Sequence, residues 1–195
     1  SKKNCNILNK SSITKIISKI KPDIILHTAA LSRPMEIHDK DISKSIELNI
    51  IGTANVLNCI NKLNKKTTSV IITSDKCYEN LKLARGYNEK DRLGGHDPYS
   101  ASKASAEIVF KSFFDTILKK NKNVKIASAR AGNVIGGGDW SLDRLIPDCV
   151  KAWSSGKKVY IRNPNATRPW QHVLEPLSGY IILSYHLHKN KNKNI

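Results

Sequence analysis

Tyr99 and Lys103 form a Y-x-x-x-K pair. On a helix that spacing places both side chains on one face, about 6 Å apart along the axis. A tyrosine phenol ordinarily titrates near ~10, and a neighbouring ammonium favours the phenolate, bringing the tyrosine into range as a proton acceptor. The pair alone is a common accident of helical sequences. It gains meaning from Ser74 and Asp75, which stand just past an apolar run in the arrangement S-x(24)-Y-x(3)-K. A hydroxyl and a carboxyl at the carboxyl end of a buried strand occupy the place where open parallel sheets put their active sites. A strand-end serine also caps turns, and on spacing alone both readings of Ser74 stand.

The elements that must position these residues follow from the apolar pattern. Ser11–Ile20 reads as a short amphipathic helix with Ile13, Ile16, Ile17 and Ile20 on one side and Ser11 or Ser12 as cap. The run from Ile24 to Ala30 is continuously apolar, as in a parallel strand buried on both faces. Asp41–Asn64 reads as a helix with a stripe of Ile46, Ile50, Val56, Leu57 and Ile60. Ser69–Thr73 is a second strand, Tyr99–Leu118 a long helix and Lys125–Arg130 a third strand. Strand and helix in alternation predict an α/β parallel sheet with right-handed crossovers. Beyond Asn133 the pattern becomes a glycine loop at 136–139, a helix over 143–155, a short strand at Val159–Ile161 and a last helix over 176–186.

The 195 residues carry 33 Lys and Arg against 16 Asp and Glu, a formal charge of +17. The lysines are spread along the chain among Asn and Ile, without the aromatic-plus-basic pattern or recognition helix of a nucleic-acid binder, so compositional bias is the plainer reading. A positive field still favours anionic small molecules. No apolar run reaches 18 residues, which argues against a membrane span, and no signal-peptide pattern follows Ser1. The start at Ser1 reads as a piece of something longer. Cys5, Cys59, Cys77 and Cys149 form no C-x-x-C pair, so a metal site is not expected and the thiols read as reduced and cytoplasmic.

Longer motifs add a resemblance. Lys21–Ala30 resembles the fourth-strand motif of extended short-chain dehydrogenases/reductases, and Asn49-Ile-Ile-Gly-Thr-Ala-Asn55 resembles their N-x-x-G-T-x-N helix. Thr73-Ser-Asp-Lys-Cys-Tyr78 is similar to the T-D-E-V-Y segment of sugar-nucleotide dehydratases, with Lys76 where most have Glu. That Asp-Lys pair resembles the CDP-glucose 4,6-dehydratases. So do the stretches 94–103, 129–140 and 161–176; the likeness runs from about residue 5 to 188.

The resemblance implies a Rossmann-like doubly wound parallel sheet, its N-terminal strands missing, with part of a small C-terminal substrate-binding domain. Partial NAD-binding domain 1–135, substrate-binding region 136–175, helix 176–188 and a disordered basic tail 189–195 are the expected parts. It implies dehydration of CDP-glucose to CDP-4-keto-6-deoxyglucose and water, through transient reduction of NAD, toward deoxysugars of lipopolysaccharide O-antigen. Tyr99 would take the 4-hydroxyl proton, Lys103 would bind the nicotinamide ribose, Ser74 would hold the 4-oxygen and Asp75 would protonate the departing 6-hydroxyl. Lys76 is a candidate C5 base; an acid role asks for a raised carboxyl pKa and a base role for a lowered ammonium pKa. The resemblance places Asn6, Ile7, Ala29, Ala30, Asn49, Thr73 and Ala131 with Tyr99 and Lys103 at NAD, and Asn133, Arg162 and Arg168 at substrate. Asn6 stands where the family usually has Asp.

A homodimer or homotetramer is the implied assembly, built on the two long helices. The glycine-rich dinucleotide fingerprint is absent, because Gly136–Gly138 lack the strand-turn-helix setting. This polypeptide alone is therefore expected to bind NAD poorly and to be inactive; stoichiometric bound NAD on the purified chain would refute that. Another NAD-dependent sugar-nucleotide dehydratase or epimerase, an inactive dimer-forming scaffold and a basic anion- or nucleic-acid-binding protein remain as competing readings.

Overall fold

The computed structural model describes residues 5–31, 42–141 and 143–189. In chain order they form α1 (Lys10–Ile20), β1 (Ile24–His27), α2 (Ile42–Ile46), a π-helical turn (Glu47–Ile51), α3 (Gly52–Asn61), β2 (Thr67–Ile72), a 3-10 turn (Asp75–Cys77), α4 (Pro98–Thr116), a second 3-10 turn (Leu118–Lys120) and β3 (Val124–Ala129). There follow β4 (Val134–Ile135), α5 (Leu145–Ser154), β5 (Gln171–His172) and α6 (Leu174–Lys189). Two compact units divide the chain: residues 132–178 form one, and the flanking segments form the other.

In the larger unit β1, β2 and β3 make a three-stranded parallel sheet in that order. Ile71 and Ile126 of the sheet pack with Ile13 of α1, Val56, Leu57 and Ile60 of α3, and Phe110 of α4. Val70 and Ala127, on the other face, pack with Leu187 of α6. Helices thus cover both faces, the doubly wound arrangement that alternating elements predict. Leu57 and Ile60 are fully buried, and each such side chain contributes about 1.5–3 kcal/mol of transfer free energy.

Several expectations are corrected. The first helix is capped by Asn9, which accepts from the Ser12 amide, rather than by Ser11 or Ser12. The strand read from 24 to 30 ends at His27, and its faces differ: Ile25 packs into the helix-side core, whereas Ile24 and Leu26 are exposed. β1 pairs only with β2 among the described residues, and α6 packs over β2 and β3 instead. The expected single helix from 41 to 64 is interrupted by the π-helical turn; its first residue, Asp41, lies outside the described residues. Ile46 does not join the core stripe. Ser45, Asn49 and Thr53 take the inward positions and Ile46 and Ile51 face out; Asn49 and Thr53 make the hydrogen bonds described below.

The smaller unit has a two-residue parallel pair, β4 with β5, too short for any periodicity to signal. Gly132 and Gly136 bracket it. A Cβ on Gly132 would lie 2.7 Å from the Pro169 ring and one on Gly136 2.7 Å from the Val173 side chain, so the close approach needs glycine at both ends. The strand expected at Val159–Ile161 is absent; the segment is coil and Tyr160 is 88 % exposed. Apolar β-formers alone do not make a strand where no neighbour offers a ladder. The last helix starts at Leu174, and its tail from 190 onward lies outside the described residues.

Candidate active site

β2 ends at Ile72, and the chain continues beside β3 for three more residues. The Thr73 amide donates to Ala129 O (2.8 Å) and the Asp75 amide to Ala131 O (2.9 Å). Ser74, in extended backbone, then accepts from the Lys76 amide at 3.2 Å, closing the 3-10 turn. Asp75 and Lys76 therefore sit on a turn rather than on the extended segment that sequence suggests. The Ser74 hydroxyl donates to Asp75 Oδ1 at 3.2 Å, coupling hydroxyl and carboxyl directly. The capping reading of Ser74 is thus met, and the cap leaves its hydroxyl proton directed at a carboxylate. The Lys76 ammonium makes no ion pair among the described residues.

Helix α4 brings the other half. Asp97 caps it by accepting from the Ser100 amide at 3.0 Å, and Pro98 fills the first turn, where its missing N–H costs nothing. Gly95 lets the approach loop lie against this turn, since a Cβ there would meet the Ala101 nitrogen at 2.4 Å. The Gly94 amide donates to Cys77 O (2.9 Å), tying the loop to the Asp75–Cys77 turn. Tyr99 is thereby held in the first helical turn, where the positive end of the helix dipole favours a phenolate. α4 packs against the Asp75–Cys77 turn. Lys103, only 6 % exposed, donates from Nζ to Ile72 O at 3.5 Å, two residues before Ser74. The structure therefore brings α4, with the Lys103 ammonium at Ile72 O, against the turn of residues 74–77 at the carboxyl end of β2.

Burial pushes the Lys103 ammonium down to about 8, with Glu107 acting against the fall. His27, at the end of β1, is pushed down to about 4 by burial and by the Lys103 charge, so its imidazole is neutral. Burial pushes the Cys77 thiol up to about 12, which makes it an inert neighbour rather than a nucleophile.

The N-x-x-G-T-x-N segment acts as a clasp. Asn49 bonds both the amide (2.8 Å) and the carbonyl (3.1 Å) of Leu31 and donates to Ser102 Oγ (2.8 Å). Ser102 in turn donates to Tyr99 O. Thr53 donates to Asn49 O (2.7 Å), so its oxygen accepts from His27 Nε2 at 3.2 Å. Asn55 donates to Ile7 O (3.1 Å), and Gly52 leaves room for Ile7, which a Cβ would meet at 2.5 Å. One helical segment thus fixes the loop before α1 and the loop after β1. Of the residues expected at NAD, Asn6 is exposed and accepts from the Leu8 amide, Ile7 is half-buried, Ala29 is exposed and Ala30 half-buried. Asn49 and Thr73 are buried with side chains engaged by the protein itself.

In the smaller unit, Asn133 O accepts from the Gln171 amide, while its buried Oδ1 finds no partner among the described residues. Arg168 is exposed and donates to Thr167 O; Arg162 pairs loosely with Asp143 at 3.7 Å. Sequence reasoning passed over Glu107 and His27. For Glu107 a signal was available: it extends Tyr99 and Lys103 to a third position on the same helix face, Y-x(3)-K-x(3)-E.

A doubly wound parallel sheet with a Ser-Tyr-Lys cluster at its carboxyl end defines the class: a Rossmann-like short-chain dehydrogenase/reductase fold. The family model described as GDP-mannose 4,6 dehydratase matches residues 3–193, and the chain belongs to that family. It is 44 % identical over 176 residues to the CDP-glucose 4,6-dehydratase of Salmonella typhimurium, covering 88 % of this chain and 49 % of that protein. It is 28 % identical to the dTDP-D-glucose 4,6-dehydratase of Dictyostelium discoideum, covering 91 % of this chain and 42 % of the relative. The chain thus spans about half the length of the curated relatives it matches. Among solved structures, the dTDP-glucose 4,6-dehydratase of Bacillus anthracis, in complex with NAD, superposes with a TM-score of 0.76 at 25 % identity over 96 % of this chain and 55 % of that one. The UDP-glucuronic acid 4-epimerase of Bacillus cereus superposes at 0.79 with 19 % identity, over 98 % and 56 %, a likeness of fold.

Proposed function

We propose that this chain carries the catalytic centre of an NAD-dependent CDP-glucose 4,6-dehydratase, which converts CDP-glucose to CDP-4-keto-6-deoxyglucose and water. The observation that carries the reading is the packing of the capped helix that bears Tyr99 and Lys103 against the Asp75–Cys77 turn. The identity to a CDP-glucose enzyme supports the substrate.

The residues present fit NAD. Thr28 and Ala29, small and exposed, follow β1 in a loop that Asn49 holds in place, so a ligand can lie close to backbone there. Asn6, Ile7, Ala29, Ala30 and Ala131 would line its site, with Lys103 at the nicotinamide ribose and Asn49 and Thr73 shaping the walls. When bound, NAD would supply a reversible two-electron acceptor for the C4 hydride, the same two electrons going back to C6 once water has left. Tyr99 takes the proton of the sugar 4-hydroxyl, its phenolate favoured by Lys103 and by the helix terminus. Ser74 donates to the 4-oxygen. The resulting 4-keto group acidifies the C5 proton, for which Lys76 is the base within reach of the turn. Asp75 gives its proton to the departing 6-hydroxyl, which leaves as water.

Asn133, through its side-chain N–H, and Arg168 and Arg162, through their guanidinium groups, contact the substrate at its diphosphate. Outward-facing Ile46, Ile51 and Ile108 on the helices of residues 42–61 and 98–116 support a homodimer. No helix among the described residues is long and apolar enough to cross a membrane. With the four cysteines free, a cytoplasmic enzyme supplying deoxysugar for lipopolysaccharide O-antigen is the accompanying reading.

The test is turnover by the polypeptide that carries these residues, with CDP-glucose against the dTDP, UDP and GDP sugars. Release of a 4-keto-6-deoxy product from CDP-glucose first supports the reading. A 4-epimer, or a preference for another base, overturns it.

A further inference from the structure

We propose that Glu107 is a positioning residue of the proton-transfer centre: its buried carboxylate, one helical turn beyond Lys103, keeps that ammonium seated and charged. Three donors hold the carboxylate. Thr73 Oγ1 donates to Oε1, while Ser128 Oγ (3.1 Å) and Arg130 Nη2 (2.8 Å) donate to Oε2. They come from the ends of β2 and β3, so the carboxylate joins α4 to both strands beside the catalytic turn. Glu107 is 4 % exposed, and a carboxyl so buried persists as an anion only where it is paired and fully hydrogen-bonded. The guanidinium of Arg130 also lies 4.9 Å over the Tyr78 ring, and Tyr78 stacks on Tyr87. The network therefore reaches the loop that leaves the catalytic turn.

Lys103 needs such a partner. Its hydrogen bond to Ile72 O is long, and burial favours the neutral amine. The groups facing it are few. His27, from β1, is neutral above about 4 and Cys77, from the turn, is a neutral thiol below about 12, so neither supplies charge near neutrality. From α2 and the π-helical turn, Ser45 and Asn49 face the helix without charge. Asp75 lies on the turn and is engaged by Ser74. Tyr99, on the same face of α4, is the group whose phenolate Lys103 favours. Glu107, shared with the Arg130 guanidinium at 2.8 Å, is the carboxylate that acts on Lys103. A neutral Lys103 would lose its grip on the phenolate and on a ribose hydroxyl together.

This inference rests on reading Lys103 as the partner of Tyr99, yet its test needs neither cofactor nor sugar. Trace labelling of the whole chain with acetic anhydride across pH, read by mass spectrometry on the Lys103 peptide, gives the pH at which Lys103 becomes reactive. In Glu107→Gln that midpoint falls by about one unit, a tenfold change in the protonation equilibrium. Thr73→Val and Ser128→Ala, which keep the charge and remove donors, lower thermal stability and leave the midpoint in place. Should Glu107→Gln fail to fold, Glu107→Asp carries the test, with a smaller fall in the same direction. An unchanged midpoint in the Gln variant, or in the Asp variant where that carries the test, overturns the proposal. So does an equal fall in Thr73→Val, which would make the effect structural. A 4-epimer, or a preference for another base, from a polypeptide of the relatives' full length beside an intact midpoint shift would instead sink the dehydratase reading and leave this one standing.

Discussion

The residues assigned to chemistry and those assigned to ligand grip live in regions of opposite character. Ser74, Lys103 and Glu107 are buried and each side chain has a protein partner. In the smaller unit Arg162 and Arg168 are exposed, reaching neighbouring carbonyls and one loose carboxylate, and Asn133 Oδ1 is unmatched. The difference is what the two proposed tasks would require. Proton transfer demands groups fixed before substrate arrives, because electrostatic stabilisation works by not reorganising. A diphosphate brings its own charge, and guanidinium groups already committed to buried carboxylates could not bind it.

The largest test of that contrast is Tyr99→Phe. Loss of the proton acceptor should lower kcat by about 10²–10⁴-fold with substrate affinity little changed. Steady-state kinetics on CDP-glucose checks it. Next is the pH dependence of folding set by His27. Its imidazole stands near 4 in the folded chain against 6.5 when free. Above 6.5 both states are neutral. As pH falls the unfolded chain takes the proton first, so stability is lost between about 6.5 and about 4, on the order of 3 kcal/mol in all. Denaturant unfolding at a series of pH values measures it, and His27→Gln should flatten that limb.

A smaller effect is expected in the other region. Arg168→Ala should raise KM about tenfold while kcat holds, the mark of lost uniform binding. The smallest is Arg162→Ala, where an exposed pair with Asp143 should change stability by no more than about 0.5 kcal/mol. A large loss of stability from either arginine would break the comparison.

Residues that sequence could place are those whose spacing encodes a geometry. Tyr99 and Lys103 share a helix face by arithmetic, whereas the Asp97 cap at the start of their helix emerges from the structure. The N-x-x-G-T-x-N run was recognisable, but not its work: sequence cannot say that Asn49 turns inward to Leu31 and Ser102, or that a π-helical turn breaks the helix there. Glu107 lay in plain view on the same face, yet a single glutamate on a helix reads as solvated until burial shows three donors around it. Val159–Ile161 failed for the opposite reason, since strand residues mean little without a partner edge. The β4–β5 pair leaves its mark only in the glycines at 132 and 136.

The central claim is that one hexose ring is oxidised at C4 and loses its 6-hydroxyl between Tyr99, Ser74 and Asp75. CDP-glucose bearing deuterium at C4 tests it most directly when the product is read by NMR. The label is predicted to appear at C6 of a 4-keto-6-deoxy sugar, with a solvent proton at C5. Label lost to water, or retained at C4 of an epimerised sugar, would contradict it.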